Sequence, residues 1–233
     1  VKLVLLRHGA TDLNAGDRFQ SRIDLDLSPE GRRQVEAAGA ALDPAYWSAI
    51  YCSPLRRAVE TARLVAGRLQ MPYRSWNGLE ERDLGRLDGL ERAACARDDP
   101  GLIDRLLNDP EYTPPGGESI PAALSRFRAA LADLLHEEPP SADRAVLVVT
   151  HGGIVNLLGT ALLGRPLADR DMVATCQAVA VDLPAGDDVL AARVVHWNVD
   201  LATCQDPGPA TSTETTSHRL EEPWPSTSSS TST

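Results

Sequence analysis

VKLVLLRHGATDLN, residues 1–14, carries six strand-like residues and then stops abruptly in Arg7, His8 and Gly9. A second apolar run, AVLVVTHGG at 145–153, stops the same way, in His151, Gly152 and Gly153. An unbroken apolar run such as Ala145–Thr150 suits a central strand covered on both faces, as in a parallel sheet flanked by helices. Further strand-like runs lie at 47–52, 71–76, 174–183 and 191–197, and helix-like stretches separate most of them. Ser28 is placed to cap a helix that has Pro29 at its first position. In PLRRAVETARLVAGRL, residues 54–69, the residues Ala58, Ala62, Val65 and Leu69 recur at helical spacing, with Arg57 beside that face. Residues 118–138 and 152–164 also read as helices, and 89–109 reads as helical but interrupted at Pro100-Gly101. The last two runs, joined by PAGDD, look like a hairpin at one edge. Strands alternating with helices predict an α/β fold: a three-layer sandwich with a mostly parallel central sheet, one antiparallel edge strand and helices on both faces.

The 233 residues suit one domain with an appendage. Residues 206–233 are rich in Ser, Thr and Pro and too poor in aliphatics to order themselves, so a catalytic domain at 1–205 and a disordered tail at 206–233 are expected. Asp and Glu number 33 against 23 Lys and Arg, a formal charge of −10. A nucleic-acid backbone would be repelled, and no basic stripe offsets that. Lys2 is the sole lysine; the arginines are scattered. Any bound anion is therefore expected to be small and held by a few local groups. Cys52, Cys95, Cys176 and Cys204 are widely spaced without a CxxC pair, which reads as reduced thiols. With no apolar stretch of membrane-spanning length and no signal-peptide pattern, a cytoplasmic protein with no membrane partner is expected. A homodimer is left open.

Ligands of open parallel sheets bind beyond the carboxyl ends of the strands. Two of the five histidines, His8 and His151, stand at such ends, each followed by glycine. If the two strands are neighbours, both imidazoles enter one crevice, and the helix opening after His151 favours an anion. His136, beside Glu137 and Glu138, reads as a solvated residue, His196 as part of an edge strand and His218 as part of the tail. The sequence holds no HExxH, no GxSxG and no Walker loop. Phosphate chemistry without a metal or cofactor is what remains.

LRHGATDLN, SPLRRAVETA, LEERDLGRLDG, PGGES and VVTHGG occur in that order, and the pattern resembles the histidine phosphatase superfamily, the phosphoglycerate-mutase-like fold, from Val1 to about Leu201. The resemblance implies that His8 is the nucleophile, phosphorylated in turnover, and that Arg7 and Arg57 bind the phosphate. It implies that His151 donates to the phosphoryl group, that Asn14 is the polar residue following the RHG motif and that Glu81 is the general acid, with neighbouring Glu80 as the alternative. Gln20, Arg22 and Ile23 follow the first motif and could face the organic part of a substrate. Each residue also has a plainer reading: Arg7 as a strand-end surface residue, Arg57 as a solvated helix residue like Arg56, Asn14 as a turn former, and Glu81 as one of a charged loop cluster with Glu80, Arg82 and Asp83. Glu118-Ser119 reads mainly as a helix start.

Glycolytic mutases of the family follow the second histidine with Gly-Asn-Ser and carry a longer basic insertion. Here Gly152, Gly153 and Ile154 follow, and residues 91–115 are acidic, with Leu102, Ile103, Leu106 and Leu107 as an apolar face. The expected function is a metal-independent phosphomonoesterase acting on a small phosphorylated metabolite. A phosphoglycerate mutase and a non-catalytic binding module that kept the fold are the alternatives.

Overall fold

A computed structural model describes residues 2–137, 144–165, 172–183 and 189–201. The expected tail at 206–233 with His218, Cys204 and the PAGDD connection at 184–188 lie outside them.

Six strands, β1 (Lys2–Arg7), β2 (Trp47–Cys52), β3 (Arg74–Ser75), β4 (Ala145–Thr150), β5 (Gln177–Asp182) and β6 (Arg193–Asp200), form one sheet in the order β3-β2-β4-β1-β5-β6. The first four in that order are parallel, and β5 runs antiparallel to β1 and to the outermost strand β6. The β5–β6 pair thus forms the edge expected for the last two apolar runs. Strand alternation divides the core in two. Leu3 and Leu5 of β1 and Val146 and Val148 of β4 pack on one face with α6 (Ile120–Glu137) and α7 (Gly152–Leu163). Val4, Leu6, Leu147 and Val149 pack on the other with α2 (Pro29–Ala40) and α3 (Arg56–Leu69). Leu3, Leu5 and Leu6 are fully buried. Each such side chain contributes about 1.5–3 kcal/mol, which makes β1 and β4 a firm base for whatever follows their ends.

Ser28 caps α2 by accepting from the Gly31 N–H, and Pro29 opens the helix. Ala58, Ala62, Val65 and Leu69 are the buried face of α3, joined by Arg57 itself. The 89–109 stretch divides into α4 (Arg92–Asp98) and α5 (Leu102–Asn108) around Pro100-Gly101. Three strand lengths differ from the sequence reading. β3 keeps only two residues, since Pro72 lacks a donor for the ladder. β5 begins late because Cys176 adopts a left-handed φ of 62°, and β6 runs on to Asp200 through Asn198 at 59°. Asparagine tolerates that conformation better than most residues. The sequence also gave no sign of α1 (Asp12–Ala15), a single turn after the RHG motif. Away from the sheet, Phe19, Leu102 and Leu106 form a small third core.

Candidate active site

β1 and β4 are neighbours in register, with Arg7 opposite Thr150 at their ends. The His8 N–H donates to the Thr150 carbonyl at 3.0 Å, so the two chains leave the sheet side by side. The imidazoles of His8 and His151 consequently meet edge to face, 5.2 Å between centroids, and both are buried. His8 Nδ1 lies 2.7 Å from the Gly9 carbonyl oxygen. That oxygen can only accept, so Nδ1 carries the proton and Nε2 carries the lone pair. Arg57 Nε–H donates to this lone pair at 3.1 Å. His151 Nε2 lies 2.8 Å from the hydroxyl oxygen of Ser53, a partner the sequence motifs did not reveal. Burial first, then Arg57, hold both histidines well below the ordinary imidazole range, so both are neutral at neutral pH.

Arg57 is buried, and its guanidinium does more than face a ligand. Its terminal nitrogens donate to the carbonyls of Ile23 and Ser21, both at 2.9 Å, while Nε holds His8. Three of its five N–H groups are thus engaged, leaving two. Burial lowers its pKa to about 10, which still leaves it charged at neutral pH. Arg7 donates through Nη1 to the Val173 carbonyl at 2.7 Å, while its buried Nε has no partner. A Cβ on Gly152 would stand 2.8 Å from that Nε, so the first glycine after His151 lets Arg7 lie against the start of α7.

Glu81 occupies the N-terminus of α7. Its carboxylate accepts from the N–H groups of Gly153 at 2.7 Å, Ile154 at 2.6 Å and Arg82 at 2.9 Å. The anion expected at this helix end is thus one of the chain's own carboxylates. Glu80 instead accepts from the Gly78 N–H and lies 3.5 Å from Arg22. Arg126 of α6 ties this loop down by donating to the carbonyls of Gly78, Glu80 and Glu81. Glu118 binds Arg126 through both oxygens and accepts from the Asp83 N–H, so it braces the loop, and Ser119 alone accepts from the first turn of α6. Burial opposes ionisation of Glu118, but Arg126 and the Asp83 N–H outweigh it and leave its pKa lowered. Arg126 had no motif to announce it; it is one arginine on a long amphipathic helix.

A cavity of about 270 Å³ opens over His8 and is lined by Arg7, Asn14, Gln20 and Glu81. Asn14 Oδ1 accepts from the Thr11 N–H at 3.0 Å, and Gln20 Oε1 lies 2.9 Å from the Thr11 hydroxyl. With both oxygens so used, the amide nitrogens remain as donors, and Gln20 Nε2 is buried without a partner. His151 Nδ1, Arg7 Nε and Arg22 Nε are in the same state. Buried polar groups are rarely left unpaired, and those of Arg7, Gln20 and His151, close to His8, suit the oxygens of a phosphoryl group. Arg22 and Ile23 are absent from the cavity wall, as are Arg57 and His151, which reach the site through their contacts with His8; Ile103, Leu106 and Leu107 of α5 line the wall. Among the described residues no cluster of three or more His, Cys, Asp or Glu could hold a metal ion. Cys52, Cys95 and Cys176 are free thiols, and burial pushes Cys52 and Cys176 up to about 12.

The model of the histidine phosphatase superfamily (branch 1) matches residues 3–199. The chain belongs to the histidine phosphatase superfamily. A glucosyl-3-phosphoglycerate phosphatase of Mycobacterium tuberculosis is 38% identical over 173 residues, 72% of this chain and 78% of the relative. Its namesake from Mycolicibacterium vanbaalenii is 32% identical over 209 residues, 86% of this chain and 93% of the relative. The solved structure of a mycobacterial glucosyl-3-phosphoglycerate phosphatase with VO3 superimposes with a TM-score of 0.76 at 33% identity, covering 84% of this chain and 98% of that one. The chain is accordingly a phosphomonoesterase of the superfamily. No helix among the described residues is long and apolar enough to cross a membrane.

Proposed function

We propose that the chain hydrolyses its phosphomonoester in two displacements through a phosphohistidine on His8. The observation that carries this reading is the tautomer of His8: Gly9 holds the proton on Nδ1, so Nε2 carries the lone pair, which attacks as the Arg57 Nε–H that holds it turns to a phosphoryl oxygen. In the first step Nε2 forms a bond to phosphorus while the bond to the ester oxygen breaks, and Glu81 passes its proton to that oxygen. In the second, the Glu81 carboxylate takes a proton from water, the water oxygen bonds to phosphorus and the P–N bond breaks. Inorganic phosphate leaves, His8 is neutral again and Glu81 is again protonated. Arg7, Arg57, His151 and the amides of Asn14 and Gln20 balance charge on the phosphoryl oxygens. Removing one such donor lowers the rate by on the order of 10²–10³.

The substrate class we propose is a phosphorylated glycerate bearing a sugar or similar group, as in the relatives' glucosyl-3-phosphoglycerate. Arg18 and Arg92 stand on the cavity wall beyond the phosphate donors and provide positive charge for a carboxylate. The free thiols suit a cytoplasmic enzyme, and residues 1–205 make up its catalytic domain. Acid quench during turnover of ³²P-labelled substrate should trap an acid-labile phosphoenzyme that His8→Ala lacks, and turnover should survive EDTA. Turnover without a phosphoenzyme would exclude the two-step route, and loss on chelation would exclude metal independence. A coupled assay that detects isomerisation of 3-phosphoglycerate would favour the mutase instead.

A further inference from the structure

Gly153 is the second residue of α7, is exposed, and has no left-handed φ that would demand glycine. Alanine is the better helix former at such a position. What a side chain would meet there is Glu81: the three atoms nearest a Cβ on Gly153 are Oε1 at 2.7 Å and Cδ and Oε2 at 2.9 Å, all of Glu81. The carboxylate comes this close because it accepts from the Gly153 and Ile154 N–H groups at 2.7 and 2.6 Å.

We propose that Gly153 is a positioning residue for the general acid: its missing side chain lets the Glu81 carboxyl group seat on the first-turn amides of α7, and that seat sets where the proton donor stands beside His8. The inference rests on the reading of Glu81 as the acid. The loop behind Glu81 is already fixed by Arg126, which donates to the Glu81 carbonyl. A methyl group at 153 would therefore press on the carboxyl group, the flexible end of the side chain, and it is this group, not the Glu81 backbone, that shifts against the amides. The same amides hold the carboxylate that remains once its proton has gone to the leaving oxygen.

The leaving group separates this role from general damage. kcat/KM reports the steps through departure of the first product; p-nitrophenolate departs without a proton, whereas an alkoxide needs one. Gly153→Ala should lower kcat/KM at least tenfold for the best alkyl phosphate of a panel, and less than threefold for p-nitrophenyl phosphate, with Tm unchanged or raised. Glu81→Gln should show the same selectivity to a larger degree, and adding Gly153→Ala to it should change little, because the group being positioned is gone. Equal losses on both esters, no loss on either, or multiplication of the two effects in the double variant would overturn the proposal. If Glu81→Gln itself lacks leaving-group selectivity, the assignment of the acid falls first and this inference with it.

Discussion

Two neutral imidazoles packed together are a requirement of the chemistry and a weak point in acid. His8 and His151 sit well below the ordinary imidazole range in the fold, chiefly through burial and then through Arg57, whereas in the unfolded chain each returns to about 6.5. Between those limits the unfolded state binds more protons than the native state, so stability rises with pH up to about 6.5 and is level above it. The slope reaches about 1.4 kcal/mol per pH unit for each proton. Tm should hold steady from pH 8 to 7 and fall as the pH drops from 6.5 to 5, above the range where carboxylates titrate. His196, half-buried on β6, shifts in the same direction. His151→Gln should shrink the slope, and an undiminished slope would assign the acid sensitivity elsewhere. Since His8 is held well below the ordinary imidazole range, an acid limb near 6.5 in kcat/KM is not expected from this proposed nucleophile.

At the scale of elements, the site depends on how closely α2 approaches the turn that carries His8. A Cβ on Gly31 would lie 2.0 Å from the Ala10 carbonyl oxygen and 2.7 Å from its nitrogen, and a Cβ on Gly9 would lie 2.7 Å from the Gly31 carbonyl oxygen. These are backbone atoms, so no rotamer change relieves the contact. Gly31→Ala should therefore destabilise by about 1–3 kcal/mol, roughly 2–4 °C in Tm per kcal/mol for a domain of this size. Activity should fall as well, because the displaced residue is two positions from His8. A thermal melt and a p-nitrophenyl phosphate assay on one preparation check both. Elements such as these were partly legible in the sequence: one apolar run ending in His-Gly says little by itself, but two such ends place both imidazoles in one crevice once their strands are neighbours. The proton on His8 Nδ1, the engagement of Arg57 with Ser21 and Ile23, and the bracing of the Glu81 loop by Arg126 were not legible. They join residues 34 to 49 apart, or depend on a backbone turn, and contacts of that kind leave no periodicity to read. Gly153 lay between the two cases; the doubled glycine was visible, but its reason lies in the position of Glu81.

Across the whole molecule, charge is distributed against the average. Acids exceed bases by 33 to 23 in the chain, yet among the described residues the cavity wall holds Arg7, Arg18, Arg82 and Arg92 with Glu81 as the sole carboxylate. Arg82 is committed to the backbone carbonyls of Leu106, Tyr112 and Glu118, and Arg7 is the proposed phosphate ligand. Arg18 makes one bond to the Gly89 carbonyl, and Arg92, stacked 5.0 Å from the Phe19 ring, lies 3.5 Å from Asp17. Setting Asp17 against that pair leaves about one positive charge near the cavity, which matches a carboxylate better than a second phosphate. 3-Phosphoglycerate and glycerol 3-phosphate differ in that one group. The enzyme should prefer the acid, and Arg18→Gln with Arg92→Gln should reduce the ratio of the two kcat/KM values about tenfold, or about 1.4 kcal/mol. That figure is modest because both arginines are partly exposed and their interactions are screened by solvent and salt. Turnover of p-nitrophenyl phosphate, which has no carboxylate, should stay within about threefold of the unsubstituted enzyme. A ratio that survives the double substitution would place recognition of the carboxylate on other residues, and a stronger response to a bisphosphorylated ester would reverse the inference from charge.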